Sequence, residues 1–389
     1  MVRLYEKSAL SGRKGFPPYS PATVANGSSG SLVFVSGQVA LDLGSTSTEL
    51  VGGGDALKEA AQCLKNVSLA LTNAGSSLAK CCFVQIFLAD IKHRGAVDVA
   101  FAKAFEGIDV PARAVYAVKK LPRNALVEME AVGSTVEPKW ATFSTPGMLF
   151  NPSVKAQNIV FVSGQLAFKD GKLSQTEGIS GETKLVIENL KSVLENAGSS
   201  LDKVCKVTCL LSSMSIYQEV NKVYKVYFPD MPPARAAFAV GGLPFGANVM
   251  IHCTAYAGDI AERVASEGAG LVPVYSPSVS VPGIVFTSGQ IALNPESKVK
   301  ELVGRGDIGK ETRQALSNLK RVLESANSSL EEVVKVNVFL CRMEDYAAVN
   351  GVYKEFFGTS NLPARSCVAV QGLPADALVE IQAVALEKQ

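Results

Sequence analysis

Histidine is scarce in this sequence, and its scarcity excludes whole classes of site. The 389 residues include only two histidines, His93 and His252, which lie in unrelated sequence contexts. A histidine-based zinc site or a Ser-His-Asp triad is therefore disfavoured. The eight cysteines show no C-x-x-C spacing and follow no repeated pattern, so we expect buried, reduced thiols. The sequence predicts neither a metal nor a cofactor.

Strong charge and long apolar runs are also missing. The chain has 38 Lys and Arg against 36 Asp and Glu, with the two signs well mixed and a net charge of +2. Nucleic-acid binding is disfavoured because there is no basic patch, and no apolar run is long enough to span a bilayer. The polar segment 1–15 lacks the apolar stretch of a secretory signal. We expect a soluble cytoplasmic protein, with the mitochondrion left open.

A domain-sized repeat organises the chain. The tripeptide Ser-Gly-Gln occurs three times, with its glycine at Gly37, Gly164 and Gly289, so the intervals are 164 − 37 = 127 and 289 − 164 = 125 residues. A period of this length is large enough for each copy to enclose its own core. The sequence predicts three domains: domain 1 (1–136), domain 2 (137–260) and domain 3 (261–389).

A second repeated motif, Pro-Ala-Arg, places one arginine in each copy, at Arg113, Arg235 and Arg365. An apolar strand, a Leu-Pro turn and an alternating strand follow each arginine. A glutamate stands 128 − 113 = 15 and 380 − 365 = 15 residues after the first and third arginines, and Met250 takes that position in copy two. We expect each arginine and its glutamate to lie on neighbouring strands. The arginine is then either a structural partner of the glutamate or a ligand-binding group.

Each copy has the same predicted order of strand, strand, helix, strand, helix, strand, strand. In copy one, an apolar strand at 32–35 leads into Ser-Gly-Gln, and a second apolar stretch follows at 39–41. In copy three, Asp307 is a plausible cap for a helix with an apolar face. The segments 133–147 and 257–274 are interpreted as linkers. This pattern indicates an α+β fold, a mixed sheet with two helices on one face, whose other face also needs burial.

Several motifs in fixed order resemble those of one known family. They include Tyr-Ser-Pro, Val-Ser-Gly-Gln, Ala-Gly-Ser-Ser-Leu and, in copy three, Pro-Ala-Arg-Ser-Cys-Val with Leu-Val-Glu-Ile. The chain resembles the RidA/YjgF superfamily, also called endoribonuclease L-PSP-like, three times over. The resemblance implies chorismate-mutase-like domains, which in the family form trimers with ligand clefts between subunits. Three fused copies would then form a monomeric, intramolecular pseudo-trimer that hydrolyses enamine or imine intermediates to 2-keto acids and ammonia.

The resemblance also assigns roles to residues. The arginines Arg113, Arg235 and Arg365 would bind the carboxylate of a 2-imino acid, since an arginine fork grips a carboxylate bidentately. Proton transfer and water placement fall to Glu128 and Glu380, with the hydroxyls of Tyr19 and Tyr275 as helpers. The tyrosines could equally be core rings. Ligand binding is further expected at the backbone of Gly37, Gly164 and Gly289, at Asn350, and at Cys367 as a pocket wall.

Copy two has lost most of these groups, having Phe150, Ala237 and Met250 where copy three has Tyr275, Cys367 and Glu380. We therefore expect one fully equipped cleft, between copies one and three. It would combine either Arg113 with Tyr275 or Arg365 with Tyr19. The alternative function is a non-catalytic scaffold that binds small carboxylates, and a ribonuclease is less favoured.

Overall fold

The computed structural model describes residues 19–27, 30–141, 149–175, 177–266, 274–297, 299 and 301–388. The segment 1–15, and the parts of the predicted linkers at 142–147 and 267–273, lie outside these residues. No described helix is long and apolar enough to cross a membrane. No group of three or more potential metal ligands occurs in the described part of the chain.

The three domains share a core of five strands and two helices, to which domains 2 and 3 add short strands. Domain 1 contains β1 (Ala22–Gly27), β2 (Gly30–Gln38), α1 (Ala56–Asn73), β3 (Cys81–Leu88), α2 (Arg94–Ala104), β4 (Ala112–Ala117) and β5 (Val127–Ser134). Domain 2 contains β6 (Lys139–Trp140), β7 (Ser153–Ala156), β8 (Ile159–Gln165), β9 (Phe168–Lys169), β10 (Lys172–Leu173), α3 (Gly178–Asn196), β11 (Val204–Leu211), α4 (Tyr217–Tyr227), β12 (Ala234–Ala239) and β13 (Val249–Tyr256). Domain 3 contains β14 (Val264–Ala265), β15 (Ser278–Val281), β16 (Ile284–Thr287), α5 (Ile308–Ser325), β17 (Val333–Leu340), α6 (Tyr346–Phe357), β18 (Ala364–Ala369) and β19 (Val379–Leu386).

Each domain is an α+β unit with a mixed sheet, as the sequence predicts. The strand order in domain 1 is β1-β2-β5-β3-β4, and the equivalent strands of domains 2 and 3 repeat it. The crossover helix α2 makes β3 and β4 parallel, whereas β3 and β5 are antiparallel. The expectation that arginine and glutamate lie on neighbouring strands is wrong, because β3 separates β4, which carries Arg113, from β5, which carries Glu128.

Two details of the predicted element order also need correction. The segment 39–41 is not a strand; the first strand of each copy instead precedes the Ser-Gly-Gln strand, as β1 does in domain 1. Within the predicted linkers, Lys139–Trp140 and Val264–Ala265 pair with the edge strands of the following sheets. The helix prediction for copy three is confirmed, since the Asp307 carboxylate accepts a hydrogen bond from the Lys310 N–H at 3.1 Å.

Both faces of every sheet are buried. One face packs against the two helices of its own domain, in three separate apolar clusters. The opposite faces contribute to a single cluster that contains side chains from all three domains. In this shared core the rings of Phe238 and Phe339 are 4.2 Å apart, and those of Phe83 and Phe161 are 6.4 Å apart. Side chains of all three domains thus contribute to burying one another in the shared core.

Three equivalent hydrogen-bond relays join the domains in a fixed direction. The backbone N–H of Arg113 donates to Ser163 Oγ at 2.8 Å, that of Arg235 to Ser288 Oγ at 2.7 Å, and that of Arg365 to Ser36 Oγ at 2.8 Å. Each serine hydroxyl donates in turn to a backbone carbonyl of its own domain. These bonds lead from domain 1 to 2, from 2 to 3 and from 3 to 1, as a pseudo-trimer requires. The pseudo-trimer and the monomeric state in solution stay predictions.

The substitution Ser288→Ala tests one relay. It leaves the buried Arg235 N–H without its acceptor, and a lost partner of this kind costs about 1–3 kcal/mol. We expect a lower free energy of unfolding by chemical denaturation. The exposed Ser325 serves as the control, and Ser325→Ala should change stability by less than about 0.5 kcal/mol. Equal stability of Ser288→Ala and wild type would contradict the relay.

Candidate active site

The direction of the relays decides which arginine meets which copy. Each arginine lies against the Ser-Gly-Gln strand of the next domain, so three clefts form between domains. Cleft 1/2 contains Arg113 with Phe150, Gly164 and Met250. Cleft 2/3 contains Arg235 with Tyr275, Gly289 and Glu380. Cleft 3/1 contains Arg365 with Tyr19, Gly37 and Glu128.

The structure brings Arg365 and Tyr19 together and does not pair Arg113 with Tyr275. The arginine and the glutamate of one copy belong to different clefts: Glu128 faces Arg365, and Glu380 faces Arg235. The hypothesis of one complete cleft is wrong, because cleft 2/3 also has an arginine, a tyrosine and a glutamate. Domain 2 has Phe150 and Met250 where the other copies have a tyrosine and a glutamate. These two residues face Arg113 of domain 1, so the hydroxyl and the carboxyl are missing from cleft 1/2.

Cleft 3/1 is a cavity of about 260 Å³, lined among others by Tyr19, Glu128, Arg365 and Cys367. Arg365 is only 2% exposed. One guanidinium nitrogen, Nη2, donates to the Tyr346 hydroxyl at 3.4 Å, and Nη1 has no hydrogen-bond partner among the described residues. A guanidinium so deeply buried with an unused donor is suited to an anion.

The predicted Asn350 does not line the cavity of cleft 3/1. Its Oδ1 is buried without a partner in the described part of the chain. The equivalent Asn221 behaves differently, because its Oδ1 accepts a hydrogen bond from Arg235 Nη2 at 2.6 Å. Arg235 also donates to the Tyr217 hydroxyl at 3.3 Å, while its Nη1 has no described partner. The guanidinium of cleft 2/3 is thus held more firmly than that of cleft 3/1.

Both glutamates carry strongly perturbed carboxyl groups. Burial, together with the nearby Glu130, raises the pKa of Glu128 to about 8 against the opposing influence of Lys335 and Arg365. Burial likewise raises the pKa of Glu380 to about 8, against the influence of Arg235. Each group is therefore largely protonated at pH 7, with its Oε2 lacking a described partner. A neutral carboxyl with a pKa near the working pH can both donate and accept a proton.

The glycines Gly37, Gly164 and Gly289 make room for protein side chains. A Cβ at Gly37 would lie 1.8 Å from Glu128 Oε1, and one at Gly289 would lie 1.7 Å from Glu380 Oε1. At Gly164 the neighbour is Met250, whose Sδ would be 2.7 Å away. The N–H of Gly289 is already donated to the Arg235 carbonyl at 3.0 Å. These glycines therefore let the side chain of the alternating strand reach the cleft.

The tyrosines and the cysteine of the clefts remain neutral at physiological pH. Burial raises the pKa of Tyr19 and of Tyr275, so their hydroxyls are hydrogen-bond donors and not bases. Burial raises the pKa of Cys367 to about 12, which excludes a thiolate nucleophile. The eight cysteines are all unpaired, and all but Cys341 are buried.

Sequence reasoning missed a set of aromatic residues that hold the arginines. The guanidinium carbons of Arg365 and Arg235 lie 4.7 Å and 4.6 Å from the ring centres of Tyr353 and Tyr224, and Phe101 is 4.8 Å from Arg113. Such contacts stabilise a buried cation. The signal was present, because an aromatic residue stands 11 or 12 positions before every arginine: 365 − 353, 235 − 224 and 113 − 101.

Cleft 1/2 has an internal counterion where the other clefts have an asparagine. Asp98 Oδ1 lies 2.8 Å from Arg113 Nη2, and its Oδ2 lies 3.4 Å from Arg94 Nε. With Phe150 and Met250 in place of tyrosine and glutamate, the cleft has neither the hydroxyl nor the carboxyl of the other two at those positions. A carboxylate of the chain itself thus pairs with Arg113 Nη2, while Arg113 Nη1 has no partner among the described residues.

The raised glutamate pKa predicts an unusual pH dependence of stability. In the unfolded chain Glu380 loses its proton near pH 4.3, whereas the folded protein retains it up to about pH 8. The stability due to this group is therefore full below about pH 4 and is lost as the pH rises through 8. We expect Glu380→Gln to be more stable than wild type at pH 8, by at most about 5 kcal/mol, with a difference of only about 1 kcal/mol at pH 5.

Denaturant unfolding at both pH values measures this effect. Exposed Glu106 provides the control, and Glu106→Gln should track wild type at both. A Glu380→Gln variant that is destabilised equally at pH 5 and pH 8 would show that the carboxyl titrates normally.

Comparison with known proteins agrees with the repeat. The profile of the family Endoribonuclease L-PSP matches residues 14–134, 145–257 and 270–387. A RutC family protein of Synechocystis sp. is 45% identical over 112 residues, which cover 29% of this chain and 85% of that protein. The 2-iminobutanoate/2-iminopropanoate deaminase of Escherichia coli is 36% identical over 132 residues, covering 33% of this chain and 100% of the relative.

A solved structure extends the likeness beyond one repeat. The crystal structure of a chorismatase is similar with a TM-score of 0.55 at 15% identity, covering 79% of this chain and 93% of that one. At this identity the similarity concerns the fold alone. The three profile matches together span most of the chain, and this protein belongs to the Endoribonuclease L-PSP family, with three family domains in tandem.

Proposed function

We propose that the protein hydrolyses 2-imino acids to 2-keto acids and ammonia, chiefly in cleft 3/1. The observation that carries this proposal is the buried Arg365 guanidinium, with an unused Nη1, in one cavity with the protonated Glu128 carboxyl. Relatives named as 2-iminobutanoate/2-iminopropanoate deaminases support the same chemistry.

Substrate binding rests on the arginine. A 2-imino acid has a planar carboxylate next to its C=N group, and a guanidinium fork fixes such a group in one orientation. Tyr353 supports the guanidinium from one side, and Tyr346 accepts one of its N–H groups. The cavity of about 260 Å³ is large enough for a small acid and excludes polymers from the buried part of the cleft.

Proton transfer is assigned to Glu128. Its neutral carboxyl gives a proton to the imine nitrogen, and the resulting carboxylate accepts a proton from the water that attacks the imine carbon. The carbinolamine then receives this proton on nitrogen and releases ammonia as its hydroxyl becomes the keto oxygen. The hydroxyl proton returns to Glu128, so the carboxyl ends the cycle as it began.

The required acceleration is modest. A positioned acid and base contributes about 10²- to 10⁴-fold, and imines hydrolyse readily without help. No covalent intermediate is needed, in agreement with the raised pKa of the Cys367 thiol. The hydroxyl of Tyr19 is a neutral donor at the same cavity and helps to hold the water or the carboxylate.

Cleft 2/3 is assigned as a second, weaker site. It has Arg235, Tyr275 and Glu380, but Asn221 already holds its guanidinium and Ala237 replaces the thiol wall. Cleft 1/2 is assigned no catalysis because Asp98 neutralises Arg113. A ribonuclease finds less support, since burial lowers the pKa of His252 to about 3 and the residue lies outside the clefts.

Matched arginine variants test the assignment. Ammonia and keto-acid release is measured from imines generated in situ by an amino-acid-oxidising enzyme. We expect Arg365→Gln to lose at least 10-fold in kcat/KM and Arg235→Gln to lose less. Arg113→Gln is the matched control, because it removes the equivalent arginine from the cleft that has its own counterion, and it should retain the wild-type rate.

Folding of each variant is checked by circular dichroism and thermal unfolding. Equal losses in all three variants would contradict the ranking of the clefts. If folded wild-type protein does not accelerate imine hydrolysis, the deaminase proposal is wrong. The alternative function is then a scaffold that binds small carboxylates.

A further inference from the structure

A polar chamber lies where the three sheets meet, away from the clefts. This central chamber has a volume of about 70 Å³ and is lined by side chains of all three domains. Equivalent positions of the repeat face it: Phe83, Lys206 and Lys335; Gln85, Thr208 and Asn337; Glu130, His252 and Gln382. The repeat therefore creates the chamber, while the three copies supply different chemistry to it.

The negative charge of Glu130 in the chamber is already balanced by a lysine. Lys335 Nζ lies 2.8 Å from Glu130 Oε2 and also donates to the Val35 carbonyl at 3.0 Å and to Ser366 Oγ at 3.1 Å. The same Glu130 oxygen accepts a hydrogen bond from Asn337 Nδ2 at 2.8 Å. All three ammonium donors of Lys335 are thus used, and the Lys335–Glu130 pair is neutral.

Lys206 leaves one positive charge without a partner. Its ammonium makes no hydrogen bond or ion pair with any residue that the structure describes, although the side chain lines the chamber. Burial lowers the pKa of Lys206 to about 8, partly offset by Glu130, so the amine is still largely protonated at pH 7. The Lys206 side chain is half-buried at the chamber, so its ammonium is available to bind an anion there.

Two further polar groups in the chamber have unfilled hydrogen-bonding capacity. His252 Nε2 and Gln382 Oε1 are buried and have no partner in the described part of the chain. Neutral His252 can present an N–H on this nitrogen, and the Gln382 amide can present its NH₂ after rotation. Thr208 adds a hydroxyl at the same chamber. Together with Lys206 these groups form a set of donors from domains 2 and 3.

We propose that the central chamber binds a small monovalent oxyanion or carboxylate, held by Lys206, His252 and Gln382. The anion supplies the one charge that the chamber lacks. A water needs about 10–15 Å³ of such volume, so 70 Å³ accommodates roughly five water-sized atoms. Formate and dihydrogen phosphate fit this limit. Because the liners belong to three domains, the bound anion stabilises their association, independently of any deaminase activity.

Thermal unfolding and calorimetric titration with sodium formate test the proposal. Sodium gluconate, which is too large for the chamber, keeps the ionic strength constant. The binding variant is Lys206→Met, because Phe83 at the equivalent position of domain 1 shows that the fold accepts an apolar side chain there. The control is the triple variant Arg113→Gln/Arg235→Gln/Arg365→Gln, which removes all three cleft arginines, each of which has an Nη1 without a partner among the described residues.

We expect the Tm of wild type and of the triple variant to rise with the logarithm of formate concentration. The formate affinity of Lys206→Met should fall at least 10-fold. An unchanged response in Lys206→Met, a response lost in the triple variant, or no response in wild type would each overturn the proposal.

A labelling measurement on wild type covers the case in which Lys206→Met does not fold. Acetic anhydride acetylates accessible amines, and mass spectrometry reports each lysine separately. Saturating formate should slow the acetylation of Lys206 at least 5-fold relative to exposed Lys58. Equal rates with and without formate would again reject the site.

Discussion

The hydrogen bond from each arginine N–H to a serine of the next domain is the constraint on which the rest of the site depends. It fixes the order in which the domains meet, and so it fixes the composition of every cleft. The arginine enters from one domain, and the glutamate and tyrosine come from the next. A buried backbone donor has no cheap alternative partner, so this register is expected to be as firm as that within a sheet.

The same geometry explains how one copy could diverge without removing the site. Domain 2 keeps its arginine, which serves cleft 2/3, and has lost the groups that would serve Arg113. Asp98 then compensates the buried Arg113, because a guanidinium stripped of its carboxyl and its ligand would otherwise be buried without a counterion. Divergence in domain 2 therefore affects one interface, and the other two retain arginine, tyrosine and glutamate.

The repeat, the α+β domains, the Asp307 cap and the family were predictable from sequence, because they follow from periodicity and short motifs. The glutamate that shares a cleft with each arginine was not predictable from the sequence. A constant offset of 15 residues suggests neighbouring strands, yet β3 is inserted between β4 and β5 by a long-range pairing that no local pattern specifies. The direction in which the domains follow one another around the ring could not be predicted from the sequence either. The sequence shows Asp98 at the position that matches Asn221 and Asn350, but its contact with Arg113 depends on helix packing.

The most direct test of the account is a double-mutant cycle on imine hydrolysis. Within cleft 3/1, Arg365→Gln and Glu128→Gln should be strongly non-additive in kcat/KM, because residues acting on one substrate share its transition state. Arg365→Gln combined with Glu380→Gln joins residues of the same copy in different clefts, so the absolute decreases in kcat/KM should sum, as for two sites that work in parallel. Absolute decreases that sum for Arg365 with Glu128 and not for Arg365 with Glu380 would contradict clefts built from successive domains.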